Sequence, residues 1–248
     1  MTLPTEAVIL MAGEGSRLRG ANKTFLKPFV PVLGRPLISY VLDTLTHAGV
    51  KTLNFVVGYE RKRMIAQVKQ LMPPGLSACF IENRDWQKQN GISLLTAADR
   101  VAEPFLLTMS DHLFDHMIVD HLLDSFDPDF LNVAIDRKLN SIFDLDDAMK
   151  VRTQGERVTE IGKNLRHYDA IDIGLFICPL EIFDHLKRAK SLSSTKDCSL
   201  ADGVRLMACD GKVRGIDIGD GWWQDVDTPS MLWHAERKMS ASYELNPG

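Results

Sequence analysis

Residues 7–28 read AVILMAGEGSRLRGANKTFLKP, and this stretch decides the fold. Ala7-Val8-Ile9-Leu10-Met11 is a short apolar run without polar alternation, which predicts a strand covered on both faces in a parallel sheet. Gly13 and Gly15 follow. Glycine admits positive φ and close approach of the main chain to a ligand, so several N–H groups can converge on phosphate oxygens. Arg17 adds a planar, permanently charged fork suited to phosphate. Lys27 adds a mobile point charge, and Pro28 keeps the backbone before it extended. This order describes an anion site, fit for a nucleoside triphosphate, that carries no base or nucleophile of its own.

The glycines match neither G-x-G-x-x-G nor the G-K-[ST] ending of the P-loop. On glycine spacing alone, a tight βα turn explains Gly13 and Gly15 as well as a ligand does. Arg17 and Lys27-Pro28 turn the reading toward phosphate.

Outward from this stretch, strand and helix signals alternate. Leu37 to Ala48 has helical spacing and stops at Gly49. Leu53 to Val57 reads as a strand, Lys62 to Leu71 as an amphipathic helix closed by Pro73-Pro74-Gly75, and Ala78 to Ile81 as a third strand. Gly91 to Val101 reads as a helix, and Pro104 to Met109 as an apolar strand ending at Ser110-Asp111. The alternation predicts an α/β fold, a doubly wound and mostly parallel sheet with its ligand at the strand carboxyl ends. The second half changes character. Leu131 to Asp136 is strand-like, and Ala148 to Arg152 pairs with Arg157 to Ile161 as a small β-hairpin insertion across Gln154-Gly155. Ala170 to Cys178 and Val213 to Ile218 are further strands; Leu180 to Ala189 and Pro229 to Met239 are helices. One domain is expected over 1–239, its nucleotide-binding part spanning about 5–130 and its acceptor-binding part about 131–239, with a loose tail over 240–248.

With 248 residues, 45% hydrophobic and 25% charged, the chain can bury one sizeable core. A formal net charge of −4 lacks the basic excess of nucleic-acid or anionic-membrane binders. No basic n-region precedes an apolar h-region, and no apolar run approaches bilayer-spanning length, so a cytoplasmic location without stable membrane insertion is expected. Cys79, Cys178, Cys198 and Cys209 have no C-x-x-C spacing, which argues against zinc and disulfides and for reduced, mostly buried thiols.

Several side chains carry candidate chemistry. Asp111 follows an apolar strand, where a doubly wound sheet delivers residues to its crevice; alone, such an aspartate serves as a helix cap more readily than as a metal ligand. Asp225 and Asp227, in WWQDVDTPSM, form a second acidic cluster, although Asp227-Thr228-Pro229 also suits a helix start. Trp222 and Trp223 suit packing beneath that loop better than a base platform. Asn90-Gly91-Ile92-Ser93, preceded by Glu82-Asn83-Arg84, can read a pyrimidine edge through amide or main-chain groups, or be a plain loop with Ser93 as a cap.

LMAGEGSRL followed by LKPFVPVLGRPLISYVL resembles the start of the nucleotidyltransferases that join a nucleoside triphosphate to a phosphorylated sugar or alcohol and release pyrophosphate. The resemblance runs from Ala7 to about Leu232. Met11 departs mildly from the family's L-A-A-G or L-A-G-G. Within that family, NGISLL, LLTMSDHLF, IGKNLRHYDAIDIGLF and WWQDVDTP are most similar to the cytidylyltransferases that act on inositol 1-phosphate. Many of those carry a membrane-embedded phosphoinositol transferase on the same polypeptide.

The resemblance implies a Rossmann-like nucleotidyltransferase fold and assigns roles. Ala12, Gly13, Glu14, Gly15 and Ser16 form the nucleotide loop, and Asn83, Asn90, Gly91 and Ser93 the nucleobase segment. Arg17 contacts the β and γ phosphates, and Lys27 the α-phosphate. Asp111 and Asp225 bind Mg2+, and Asp227 supports them. Lys163 sits where the family's E-K-P lysine contacts the acceptor phosphate, though Asn164 replaces the proline. From their own chemistry, Asp136, Arg137, Arg166, Tyr168, Asp169 and Asp172 lie in segments that could surround a polyol with acceptors and donors, or could serve surface hydrogen bonding and strand ends. The implied partners are CTP and a phosphorylated small-molecule acceptor, with a homodimer expected from the family and no nucleic acid.

The expected reaction is attack by an acceptor phosphate oxygen on the α-phosphorus of CTP. That nucleophile is already ionised near neutrality, so positioning and charge neutralisation suffice. Phosphocholine, aminoethylphosphonate or a hexose 1-phosphate are alternative acceptors, and a catalytically silent, nucleotide-sensing relative is the rival of another class. An aromatic cage for choline would need more than Tyr168.

Overall fold

The apolar run at the N-terminus forms the strand its pattern predicts, at the centre of a mixed sheet. In the computed structural model, residues 3–19, 25–102 and 104–245 are described. The strands are β1 (Glu6–Met11), β2 (Pro31–Val32), β3 (Arg35–Pro36), β4 (Thr52–Val57), β5 (Ser77–Glu82), β6 (Phe105–Met109), β7 (His112–Phe114), β8 (Leu131–Asp136), β9 (Met149–Gln154), β10 (Arg157–Gly162), β11 (Ala170–Cys178), β12 (Val213–Asp217) and β13 (Trp223–Asp225). The helices are α1 (Ser16–Arg19), α2 (Leu37–His47), α3 (Arg61–Leu71), α4 (Asn90–Leu95), α5 (His116–Ser125), α6 (Glu181–Leu192), α7 (Leu200–Cys209) and α8 (Pro229–Leu245).

Nine strands form one sheet in the order β5-β4-β1-β6-β11-β8-β12-β10-β9. The first four are parallel to one another, and β11 enters antiparallel to both β6 and β8. The chain moves outward from β1 to β4 and β5, then returns to β6 on the other side of β1. Such a reversal opens a crevice at the strand carboxyl ends, and here the residues after β1 and β6 flank it.

Alternation along β1 divides the core between the two faces of the sheet. Val8 and Leu10 pack with Ile92 and Leu94 of α4, Ile182 and Leu186 of α6, and Val204 and Met207 of α7. Ala7, Ile9 and Met11 pack with Ile38 and Val41 of α2, Met64 and Val68 of α3, and Ile118 and Leu122 of α5. Both faces are covered, and for this reason β1 carries no polar residue between Ala7 and Met11.

Several elements differ from expectation. α4 ends at Leu95 instead of reaching Val101. The amides of Ala97, Ala98 and Arg100 bond three residues back, so the segment tightens into turns. Ser93 lies inside α4 and accepts from Asn83 Nδ2 at 2.9 Å, and therefore caps nothing. α8 continues through Leu245, where a loose tail was expected from residue 240; residues 246–248 lie outside the described part. α5 and α7 have no counterpart in the pattern reading. Ser199 and Asp202 close a capping box at the start of α7, a signature in the sequence that serves as its start signal. The four cysteines are free thiols, but Cys209 is exposed.

α4 is seated by a close approach: a Cβ at Gly91 would lie 2.6 Å from the Cys198 carbonyl oxygen. Backbone on both sides cannot yield as a flexible side chain would. Gly91→Ala is expected to destabilise the protein by about 1–3 kcal/mol, read as a lower urea midpoint at unchanged m-value; an unaltered midpoint counts against this packing.

Candidate active site

Two adjoining cavities open at the crevice, of about 310 and 700 Å3. The smaller is built from the end of β1 and its loop, with Ala12, Gly13, Gly15, Ser16, Arg17 and Lys27 along one side and Trp86, Lys88, Asn90 and Ser93 along the other. A Cβ at Gly13 would meet no protein atom within 4 Å, so that backbone faces open space a ligand can enter. Gly15 is constrained differently. Its φ of +63° suits glycine, and a Cβ there would strike the Lys27 side chain, so the turn closes directly over the lysine.

Lys27 is 8% exposed and starts a 3-10 turn over Lys27–Phe29 with Pro28 inside it. Its ammonium donates to Asp111 Oδ2 and Asp227 Oδ1. Burial works to discharge it, but the two carboxylates outweigh burial and raise its pKa. Burial likewise works to protonate Asp111, yet Lys27 and then His112 hold its carboxyl well below the usual range. Asp227 also accepts from Arg17 Nη2 at 2.7 Å, so one carboxylate spans both cations of the motif.

Asp111 and Asp225 are brought together by a short antiparallel ladder. β7 pairs with β13, placing Asp225 opposite His112, and Val226 N donates to Asp111 O at 2.9 Å. Burial, reinforced by repulsion from Asp227 and Asp111, raises the Asp225 pKa despite His112. Three aspartates thus meet Lys27, Arg17 and His112 at one place. Among the described residues no three potential ligands already close around one point.

The larger cavity lies beyond these acids, walled by Asp136, Lys138, Lys163, Asp172, Trp222 and Trp223 among others. Asp136 Oδ2 accepts from Trp223 Nε1 at 2.9 Å, and Oδ1 accepts from Lys138 N at 2.7 Å. Lys138 Nζ reaches the Gly219 carbonyl at 2.5 Å, tying the loop that leads into β13 to the end of β8. Asp172 Oδ1 accepts from Gly174 N at 2.8 Å, and burial pushes its carboxyl up to about 6 against that bond and His112. Gly174 has φ +76°, and a Cβ there would lie 2.5 Å from His112 Nε2. His112 Nδ1 meets Asp111 Oδ1 at 2.7 Å, so the imidazole is wedged between the acid of one cavity and the strand that carries Asp172 in the other.

The fold thus gathers most of the residues expected from sequence. Ala12, Gly13, Gly15, Ser16, Lys27 and Ser93 line the smaller cavity, Asp136, Lys163, Asp172 and Asp225 the larger, and Arg17, Asn90 and Asp111 both. Glu14, Asn83, Gly91 and Arg137 line neither. Asn83 is buried, its amide on Ser93 and its carbonyl accepting from Asp85 N. Arg137 turns to the outer strands, donating to Asp169 at 2.6 Å and Thr153 at 3.0 Å. Arg166 is also outside both cavities, and Tyr168 lies beneath Lys150. Trp86, His112, Lys138 and Asp147 were not singled out from the sequence. A tryptophan four residues before Asn90 and an acidic run before the hairpin were the available signals, but neither states its partner.

Comparison with known proteins bears on the family and the fold. Residues 7–142 match the MobA-like NTP transferase domain. A bifunctional IPC transferase and DIPP synthase of Rubrobacter xylanophilus is 33% identical over 232 residues, covering 91% of this chain and 50% of that protein. Its namesake in Thermococcus kodakarensis is 32% identical over 239 residues, covering 96% and 51%. The chain spans about half the length of these relatives. The structure of the inositol-1-phosphate CTP transferase from T. maritima superposes with a TM-score of 0.84 at 25% identity, over 96% of this chain and 97% of that one. A UDP-glucose pyrophosphorylase complexed with UDP-glucose shares the fold, with a TM-score of 0.83 at 17% identity, over 97% of this chain and 100% of that one.

Asp172 yields a pH test. Its folded pKa of about 6 exceeds the unfolded value of about 3.9, so the folded state binds more protons between these values and stability falls as pH rises through that window. Asp172→Asn keeps an acceptor for Gly174 N and removes the charge. The variant should be more stable than wild type at pH 7, by on the order of 2 kcal/mol, and equal to it near pH 4. Urea melts at both values check this; an equal difference at both would exclude the shift.

Proposed function

The chain belongs to the MobA-like NTP transferase family, and on that premise we propose that it transfers a cytidylyl group from CTP to inositol 1-phosphate, giving CDP-inositol and pyrophosphate. The observation that carries this reading is the meeting of two cavities at Arg17 and Asp111, both of which line each cavity. One cavity offers bare backbone, Lys27 and an aromatic wall; the other offers acids, lysines and indoles. That division suits a nucleotide on one side and a phosphorylated polyol on the other.

The roles follow from position. Arg17 grips the β and γ phosphates, and Lys27 the α-phosphate and the charge that develops there. Lys163 holds the acceptor phosphate, and Asp136 and Asp172 face the polyol with acceptor oxygens. Asp111 and Asp225 fit a magnesium ion, because Asp225 is buried beside two other carboxylates and pushed toward protonation, a condition a hard cation relieves. When bound, that ion neutralises phosphate oxygens. Asp227 pairs with both Lys27 and Arg17 until phosphate arrives, and Trp86 walls the nucleobase side. In the ligand-free state all three cations are paired with carboxylates, so binding exchanges one anion for another and leaves no cation bare. No general base is needed, since the acceptor phosphate is already anionic. Four unbridged thiols suit a reducing, cytoplasmic setting.

Acceptor identity follows the names of the relatives and the acid-rich wall; a hexose 1-phosphate would use the same phosphate contact. Pyrophosphate release with CTP or UTP and a panel of phosphorylated acceptors should be highest for CTP with inositol 1-phosphate. Release only with another acceptor would reassign the substrate, and tight CTP binding without release would favour a sensor. Lys27→Ala is expected to lower turnover by about two orders of magnitude or more; near wild-type turnover would remove Lys27 from its role.

A further inference from the structure

One carboxylate joins the two halves of the site. Asp147 Oδ2 accepts from Arg17 Nη1 at 2.9 Å, and Asp147 Oδ1 from Lys163 Nζ at 2.5 Å. The bond from Lys163 is the largest cause holding the Asp147 carboxyl below its usual range, and Arg17 adds to it. Asp147 lies between the 3-10 turn Leu139–Ser141 and β9, on a stretch with neither helix nor strand. Its presentation is nevertheless built. Lys150 is 8% exposed, and its Nζ donates to Asp146 O at 3.0 Å, to Ala148 O at 3.5 Å and to Lys163 O at 3.0 Å. One buried ammonium thus fixes the backbone on both sides of Asp147 together with that of its partner lysine. Farther out, the Phe143 ring stacks on His234 of α8 with centroids 4.4 Å apart, closing the stretch over the larger cavity.

A carboxylate shared by a guanidinium and an ammonium presents two anionic oxygens where a phosphate would present its own. We infer that Asp147 is a specificity-determining residue, an internal stand-in that occupies the place of the acceptor's phosphate on Lys163, tethered there through Arg17, and yields it only to a phosphate dianion. The inference rests on the nucleotidyltransferase reading for the identity of the incoming group. A phosphomonoester near neutrality carries between one and a half and two negative charges and three acceptor oxygens, so it displaces a tethered monoanion. An unphosphorylated polyol brings neither and leaves the pair closed.

Inorganic phosphate is the direct probe, and the full chain the material. Its affinity at pH 7.5, measured by calorimetric titration, should be about tenfold tighter for Asp147→Asn than for wild type, the scale of two competing exposed ion pairs. Asp147→Glu, which restores the charge, should return toward wild type. Adding Lys163→Ala to Asp147→Asn should abolish the gain. A merely structural Asp147 would give unchanged or weaker binding, and that result overturns the inference, as do a gain that survives Lys163→Ala and absence of phosphate binding to every variant. None of these readings needs CTP or inositol 1-phosphate, so failure of transfer in the pyrophosphate assay would refute the substrate assignment while this comparison still decides the role of Asp147.

Discussion

A buried ammonium between two carboxylates from distant parts of the chain is the constraint around which this site is organised. Lys27 meets Asp111, 84 residues away, and Asp227, 200 residues away. Taking three charges out of water is costly unless they are paired and hydrogen-bonded, and the pairing is achieved only when the glycine turn, the end of β6 and the segment before α8 are all in place. The local charge arrangement is therefore a product of the whole fold. It also explains why Gly15 sits above Lys27, since any side chain there would push the lysine away from its acids.

The second constraint is geometric. Asp111 follows β6 and Asp225 ends β13, and the two have no reason to meet until β7 and β13 form their ladder. The loop that feeds β13 is held in turn by Lys138 on the Gly219 carbonyl and by the indole of Trp223 on Asp136. Residues that look like substrate contacts in a list of acids and aromatics thus serve first to aim the acidic pair. Asp136 illustrates this: it walls the larger cavity, but its oxygens are already engaged by the tryptophan and lysine that fix the loop.

Charge balance links the two cavities. Lys27, Arg17 and Lys163 are each held by aspartates, and Asp227 and Asp147 each bridge two of these cations. Anionic substrates can replace such partners at lower cost than they could assemble cations from solvent, because the side chains are already ordered. Asp172 stands apart. Burial without a cation of its own raises its pKa, which suits hydroxyl contacts better than phosphate contacts.

The sequence by itself determined the α/β alternation, the central strand and the turn that follows it, because apolar runs, glycines and proline act locally through backbone geometry and periodicity. It also marked Arg17 and Lys27, which stand beside a glycine pair and a proline, whereas Asp111 and Asp225 were singled out by the family resemblance. Other assignments depended on long-range partners. Asn83 and Arg137 looked like ligand contacts, and the fold spends their polar groups on Ser93 and on Asp169 instead. Asp147 looked like one acid in a loop, and the fold sets it between Arg17, 130 residues away, and Lys163. No local pattern encodes such a meeting. Which charges neutralise one another is decided by the packing of the sheet, and that packing brings together residues whose separation along the chain carries no trace of it.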